Sequence, residues 1–177
     1  MPAQPRISRR KMLLASTTVT GTLLLIPTVE RAAMSDDTKP KPPRPPALKP
    51  ELVKEFVKAA HTDFERVKAM LTEEPALLNA TWDWSGGDFE SAIGGAGHMG
   101  RRDIALYLLE KGARMDIFVA AMLGELKIVK AMLDVFPNLL QSPGPHGIPL
   151  LAHAKAGGDT AKPVQDYLTS LLPKKEN

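Results

Sequence analysis

The chain has 177 residues, room for one ordinary domain with extensions, and its lack of cysteine excludes disulfides, thiolate zinc sites and cysteine nucleophiles together. Hydrophobic residues make up 44% and aromatics only 5%, so the core must be built from Ala, Leu, Val and Met, which suits closely packed helices better than a β-sandwich. The net charge of +3 is uneven, with nine Lys/Arg against three Asp/Glu in residues 1–50 and fourteen against seventeen in residues 51–177; the slightly acidic second part lacks the basic stripe of a nucleic-acid binder.

The chain begins with a basic stretch ending at Lys11 and an uncharged run from Met12 to Val29. Ser8-Arg9-Arg10-Lys11-Met12-Leu13 resembles the twin-arginine export signal of bacteria, in which an arginine pair precedes an apolar stretch. Arg9 and Arg10 are the residues that carry this resemblance. Ser16, Thr17, Thr18, Thr20, Gly21 and Thr22 dilute the run. It is thereby at the lower limit for spanning roughly 30 Å of hydrocarbon. Residues 1–33 are expected to be a targeting peptide rather than a transmembrane anchor. Ala32-Ala33 offers small residues for cleavage, but Glu30 and Arg31 precede them. An uncleaved signal would leave a tether to the inner membrane, with the remainder in the periplasm.

Residues 34–49 form a spacer. Six prolines fall between Pro40 and Pro50, a density that forbids helix or central strand and predicts an extended polyproline II segment. A helix should start at Pro50-Glu51, since proline is pre-set for the first helical turn. Leu52, Phe56 and Val57, then Phe64, Val67 and Leu71, have the spacing of inward helix faces. The loop Asn79–Gly87 follows and holds both tryptophans of the chain, Trp82 and Trp84, around Asp83. Alternation puts the two rings on one side of an extended segment and Asp83 on the other. Two readings stand for them: caps that seal the first helices, or aromatic anchors for a partner.

Gly95-Ala96-Gly97-His98-Met99-Gly100 spells G-x-G-x-x-G, and Asp116 stands where a ribose-binding acid would be sought. A dinucleotide site needs a buried apolar strand before those glycines, yet Asp88 and Glu90 occupy that stretch. An internal repeat gives another explanation. Val67-Lys68-Ala69-Met70-Leu71 recurs unchanged as Val129-Lys130-Ala131-Met132-Leu133, and Pro75-Ala76-Leu77-Leu78 continues as Pro137-Asn138-Leu139-Leu140. Between the copies, Ile104, Ala105, Leu108 and Leu109 form a helix stripe that Gly112 terminates. The 62-residue offset is therefore two units of about thirty residues.

These residues resemble the ankyrin repeat. Its second helix and turn match Ile104-Ala105 through Leu108-Leu109 to Gly112-Ala113, and its first helix and turn match Ala96–Gly100 and Ala120–Gly124. The opening T-P-L-H is poorly kept, as Ser91-Ala92-Ile93-Gly94 and Ile148-Pro149-Leu150-Leu151. The resemblance covers residues 50–172 as four units beginning near Pro50, Asp88, Met115 and Gly147, with a polar tail at 173–177. It implies an all-α solenoid in which Gly100 is a turn between paired helices and Gly97 a point of close helix approach. It further implies a recognition surface made of loop fingers, without catalysis or cofactor. Trp82, Asp83, Trp84, Arg114, Asp116 and His146 are the candidate partner-binding residues on those fingers.

His61 and His98 fall near turns, His146 and His153 elsewhere, and no two are spaced i, i+4. No zinc-binding helix motif accompanies them, so structural or solvated roles are expected and no metal. Arg101-Arg102 at a helix start opposes the helix dipole and reads as a solvated face. The expectation is a monomeric, non-enzymatic protein-binding module of the bacterial envelope. Its rivals are an accessory factor for an exported redox enzyme and a dinucleotide enzyme using Gly95–Gly100.

Overall fold

The computed structural model describes residues 44–173. The export-signal reading at Arg9 and Arg10, most of the spacer and the end of the polar tail lie outside the described residues. Residues 44–49 adopt neither helix nor strand, and the helical part begins at Pro50.

Helix α1 (Pro50–Ala59) has proline in its first turn and buries Val53, Phe56 and Val57. Helix α2 (Phe64–Glu73) is capped by Asp63, whose carboxylate accepts from the Arg66 amide, and buries Val67, Met70 and Leu71. Leu52 and Phe64, expected inside, are half-buried at the margin of this core. A 3-10 turn at Pro75–Asn79 ends the first pair. The stretch expected as loop then becomes one arm of a hairpin: β1 (Thr81–Asp83) pairs antiparallel with β2 (Phe89–Ser91), setting Trp82 opposite Glu90. The described residues are therefore mostly helical, with one two-stranded hairpin.

Three further pairs follow: α3 (Ala92–His98) with α4 (Arg102–Glu110), α5 (Ile117–Leu123) with α6 (Leu126–Val135), and α7 (Leu150–Ala156) with α8 (Lys162–Leu171). The first helices of the pairs touch in order, α1 on α3, α3 on α5 and α5 on α7. In the second row α2 meets α4 and α6 meets α8. Helix α5 joins the two halves of the core. Its Val119, Met122 and Leu123 belong to the cluster around the first two pairs, and Ile117, Ala120 and Ala121 to the cluster around the last two. A pair with one apolar face cannot bury it alone, so this stacking supplies the stability.

The glycine run lies in and after α3, not before it. Gly95 and Gly97 are inside the helix, and Gly100 follows it at φ +68. A Cβ on Gly100 would come within 2.4 Å of the Ala156 carbonyl oxygen. Both the left-handed backbone and the close approach demand glycine there. The strand before α3 is three residues long and antiparallel, whereas a dinucleotide fold places a buried parallel strand at that point.

Arg101 and Arg102 are not a solvated face. Arg101 donates to the Thr62 carbonyl and to the Asp103 carboxylate, and Arg102 donates to the Leu123 carbonyl at 2.7 Å. One arginine thus reaches the turn of the first pair and the other the end of α5. No described helix is long and apolar enough to cross a membrane.

Candidate functional site

The hairpin determines where the tryptophans go. Trp82 and Trp84 are half-buried and Asp83 is exposed, as the strand period requires. The two rings do different work. Trp82 packs on the first core cluster, with the Lys54 ammonium 5.4 Å above its ring. Trp84 aims its indole N–H at Glu90 Oε2, 2.7 Å away. The Asp83 carboxylate accepts from the Gly87 amide at 3.1 Å and closes the hairpin turn.

Glu90 is only 1% exposed. Three histidines surround it. Its Oε1 lies 2.9 Å from His98 Nε2 and 3.4 Å from His146 Nε2, and its Oε2 lies 3.4 Å from His61 Nε2. His61 Nε2 and His98 Nε2 are themselves 3.1 Å apart. The donor atoms of His61, Glu90, His98 and His146 all fall within 4.8 Å of one another.

Hydrogen bonds on the outer side of the rings orient this group. His61 Nδ1 donates to the Val57 carbonyl at 3.0 Å, and His146 Nδ1 donates to Asp88 Oδ2 at 2.7 Å. In the neutral ring the proton then sits on Nδ1 and the Nε2 lone pair faces inward. Asp88 also accepts from the His146 amide at 2.8 Å. That second bond holds His146 at φ 58, a left-handed conformation uncommon for a residue with a side chain. Gly95 makes room beneath His61, since a Cβ there would stand 2.8 Å from His61 Cε1. Close packing is the reason for that glycine, and the partner is an imidazole.

The electrostatics follow from this crowding. Burial opposes the Glu90 charge, but the imidazoles of His61 and His98 beside the carboxylate and the indole N–H of Trp84 outweigh it and hold its pKa well below the usual carboxylate range. The nearby Glu90 carboxylate in turn raises His61, against the penalty of burial. Asp88 is lowered, chiefly by the His146 amide. Nearby on α7, His153 is buried and donates from Nδ1 to the Pro149 carbonyl at 3.1 Å. Burial lowers its pKa.

The other two loops reach the same edge. The Arg114 amide donates to Asn79 Oδ1 at 2.9 Å while its side chain is exposed, and Asp116 caps α5 through the Val119 amide. Asp116, Phe118, Pro143, His146, Asp88 and Phe89 line an open groove of about 740 Å³. Of the six residues chosen from sequence, Trp84 and His146 meet at Glu90, and Asp116 and His146 share the groove. Trp82 is a wall of the first core, Asp83 serves its own turn, and Arg114 stands apart. Sequence reasoning missed Glu90, His61, His98 and Asp88. The available signal was that His61 directly follows the first helix of one pair and His98 ends the first helix of the next, positions that stacking makes neighbours.

Compared with known proteins, the sequence matches no family model and no curated protein.

Proposed function

We propose that this chain is a non-catalytic recognition module of the ankyrin type, exported to a bacterial envelope, that binds a protein partner along the loop edge of its stack. The reading rests on one observation above all: the connections between consecutive helix pairs gather at one groove. Phe89 from the hairpin, Asp116 from the second connection and Pro143–Gly147 from the third all line it. The chain runs as successive helix–turn–helix pairs, and Gly100, Gly112 and Gly124 turn at positive φ at the positions the ankyrin resemblance gives to turns.

The groove chemistry narrows the partner. Phe89 is 62% exposed and, with Phe118, Pro143 and Pro145, gives an apolar lining around the carboxylate of Asp116. Such a lining suits an extended segment with an apolar side chain beside a lysine or arginine. Exposed aromatics are favoured anchors in such contacts.

The test is site-specific photo-crosslinking of the full chain in intact cells, with the probe at Phe89 and a control probe at Lys130 on α6. A discrete protein adduct from position 89, absent from position 130 and competed by a synthetic apolar-basic peptide from that protein, is the expected result. Adducts identical at both positions, or none at position 89, would overturn the reading.

A further inference from the structure

The Glu90 cluster lies beside the groove but does something a peptide groove does not require. Three imidazoles and one carboxylate from four separate places in the chain bring their ligand atoms together. These are the turn after α1, strand β2, the end of α3, and the loop before α7. Glu90 Oε1 is buried and receives no well-directed hydrogen bond, though two imidazole nitrogens lie within 3.4 Å of it. Two of the three rings are held with Nε2 lone pairs turned toward the carboxylate, His146 toward Oε1 and His61 toward Oε2. Lone pairs facing lone pairs repel unless a proton or a cation stands between them. The outer hydrogen bonds to the Val57 carbonyl and the Asp88 carboxylate are the kind that orient metal-bound histidines.

We infer that His61, Glu90, His98 and His146 form a binding site for a divalent transition metal of the zinc class. Ligand bonds of roughly 2.0–2.1 Å in a tetrahedron put neighbouring donors about 3.3 Å apart. The donor separations of 2.9, 3.1 and 3.4 Å fall around that value. All four ligand atoms lie within 4.8 Å of one another, and His146, the exposed member on a loop, has the freedom to close the set. Imidazole and carboxylate without thiolate favour zinc, copper, nickel or iron over calcium and magnesium, which want an oxygen shell. Trp84 completes the arrangement: its N–H occupies Glu90 Oε2 and leaves Oε1 as the ligand atom.

Four protein ligands make a closed site, so the metal is a staple rather than a reaction centre. It fastens the His146 loop and the hairpin to the first two helix pairs, and with them one wall of the groove.

The experiment is zinc titration of the untagged, metal-stripped full chain against a chromophoric chelator, followed by cobalt(II) substitution. One zinc per chain is expected. Cobalt should give the intense visible bands of a tetrahedral nitrogen–oxygen site and quench Trp84, whose ring centroid is 6.1 Å from that of His61 and 6.0 Å from that of His146. At zinc a hundredfold above Kd the melting temperature should rise by about 10 °C. Glu90→Gln and His98→Gln should each weaken binding by at least ~100-fold. His146→Asn carries the test if those buried variants do not fold, since it lies on an exposed loop and asparagine tolerates positive φ. Absence of stoichiometric zinc binding in the wild type, or wild-type affinity in His146→Asn together with unchanged cobalt bands, would overturn the assignment.

Discussion

Val67–Leu71 and Val129–Leu133 are the same five residues, 62 positions apart, and the two copies fold alike. Each sits in a ten-residue helix, α2 or α6, whose final residue gives way to a non-helical cap and a 3-10 turn opened by proline. The caps even share their backbone angles, φ −137 and ψ 85 at Glu74 against φ −128 and ψ 72 at Phe136. Beyond the prolines the likeness ends. The first copy leads into the tryptophan hairpin, and the second into the Pro143–Pro149 segment that carries His146. Those two unlike segments meet each other, at Asp88 and Glu90. The repeat builds the frame twice, and the candidate site joins His61 and His98 of that frame to Glu90 and His146 from segments the repeat does not specify.

The frame itself is not equally loaded. Met70 is 1% exposed while its counterpart Met132 is half-buried at the edge of the second cluster. Met70→Ala should therefore cost about 2–5 kcal/mol, the range for emptying a buried methionine site, and Met132→Ala clearly less. Chemical denaturation of the two variants measures this directly. Equal losses would mean that the two copies are interchangeable and that the burial difference carries no energy.

Zinc sharpens the comparison from the other side. At a hundredfold excess over Kd it should add roughly 2.7 kcal/mol. Hydrogen exchange should show the added protection in residues 81–91 and 143–149, not in α6 or α8. Protection spread evenly over both copies would make the metal a global stabiliser instead of a staple for the two loops.

A smaller asymmetry lies at the helix starts. Asp63 caps α2 by accepting from the Arg66 amide at 2.9 Å, whereas its counterpart Glu125 makes no side-chain cap to α6. Replacing Asp63 by alanine should cost about 1 kcal/mol. Glu125→Ala should stay within about 0.5 kcal/mol. Thermal melts of both variants decide it.

How far these features could be read from sequence follows the same division. The helix pairs were legible because they depend on local signals: the 62-residue echo, the stripe at Ile104, Ala105, Leu108 and Leu109, and turn glycines such as Gly112 and Gly124. The hairpin was hidden, since three-residue strands leave too short a pattern to separate from loop. The cluster was hidden for a deeper reason. His61 and His98 are 37 positions apart, and His146 is 58 from Asp88; no local spacing connects them. Nothing local marks Glu90 as buried, and only three imidazoles and an indole make its burial tolerable.

The finest test sets frame against site within one residue. Glycine inside a helix costs roughly 0.5–1 kcal/mol relative to alanine, so Gly95→Ala should strengthen α3 considered as a helix. The added Cβ would stand 2.8 Å from His61 Cε1 and 3.0 Å from His61 Nδ1, so the ring must shift and its bond to the Val57 carbonyl with it. The two effects oppose each other in stability, and the melting temperature of the metal-free protein should move by only a few degrees. They do not oppose each other in ligand geometry, because nothing in a firmer helix restores the His61 Nε2 position. Zinc affinity should fall by about tenfold, the low end for disturbing the support of a metal-bound histidine. A variant more stable than the wild type with undiminished zinc affinity would show that the glycine serves neither purpose. Loss of affinity at nearly constant stability would show that this position is kept small for the imidazole and not for the fold.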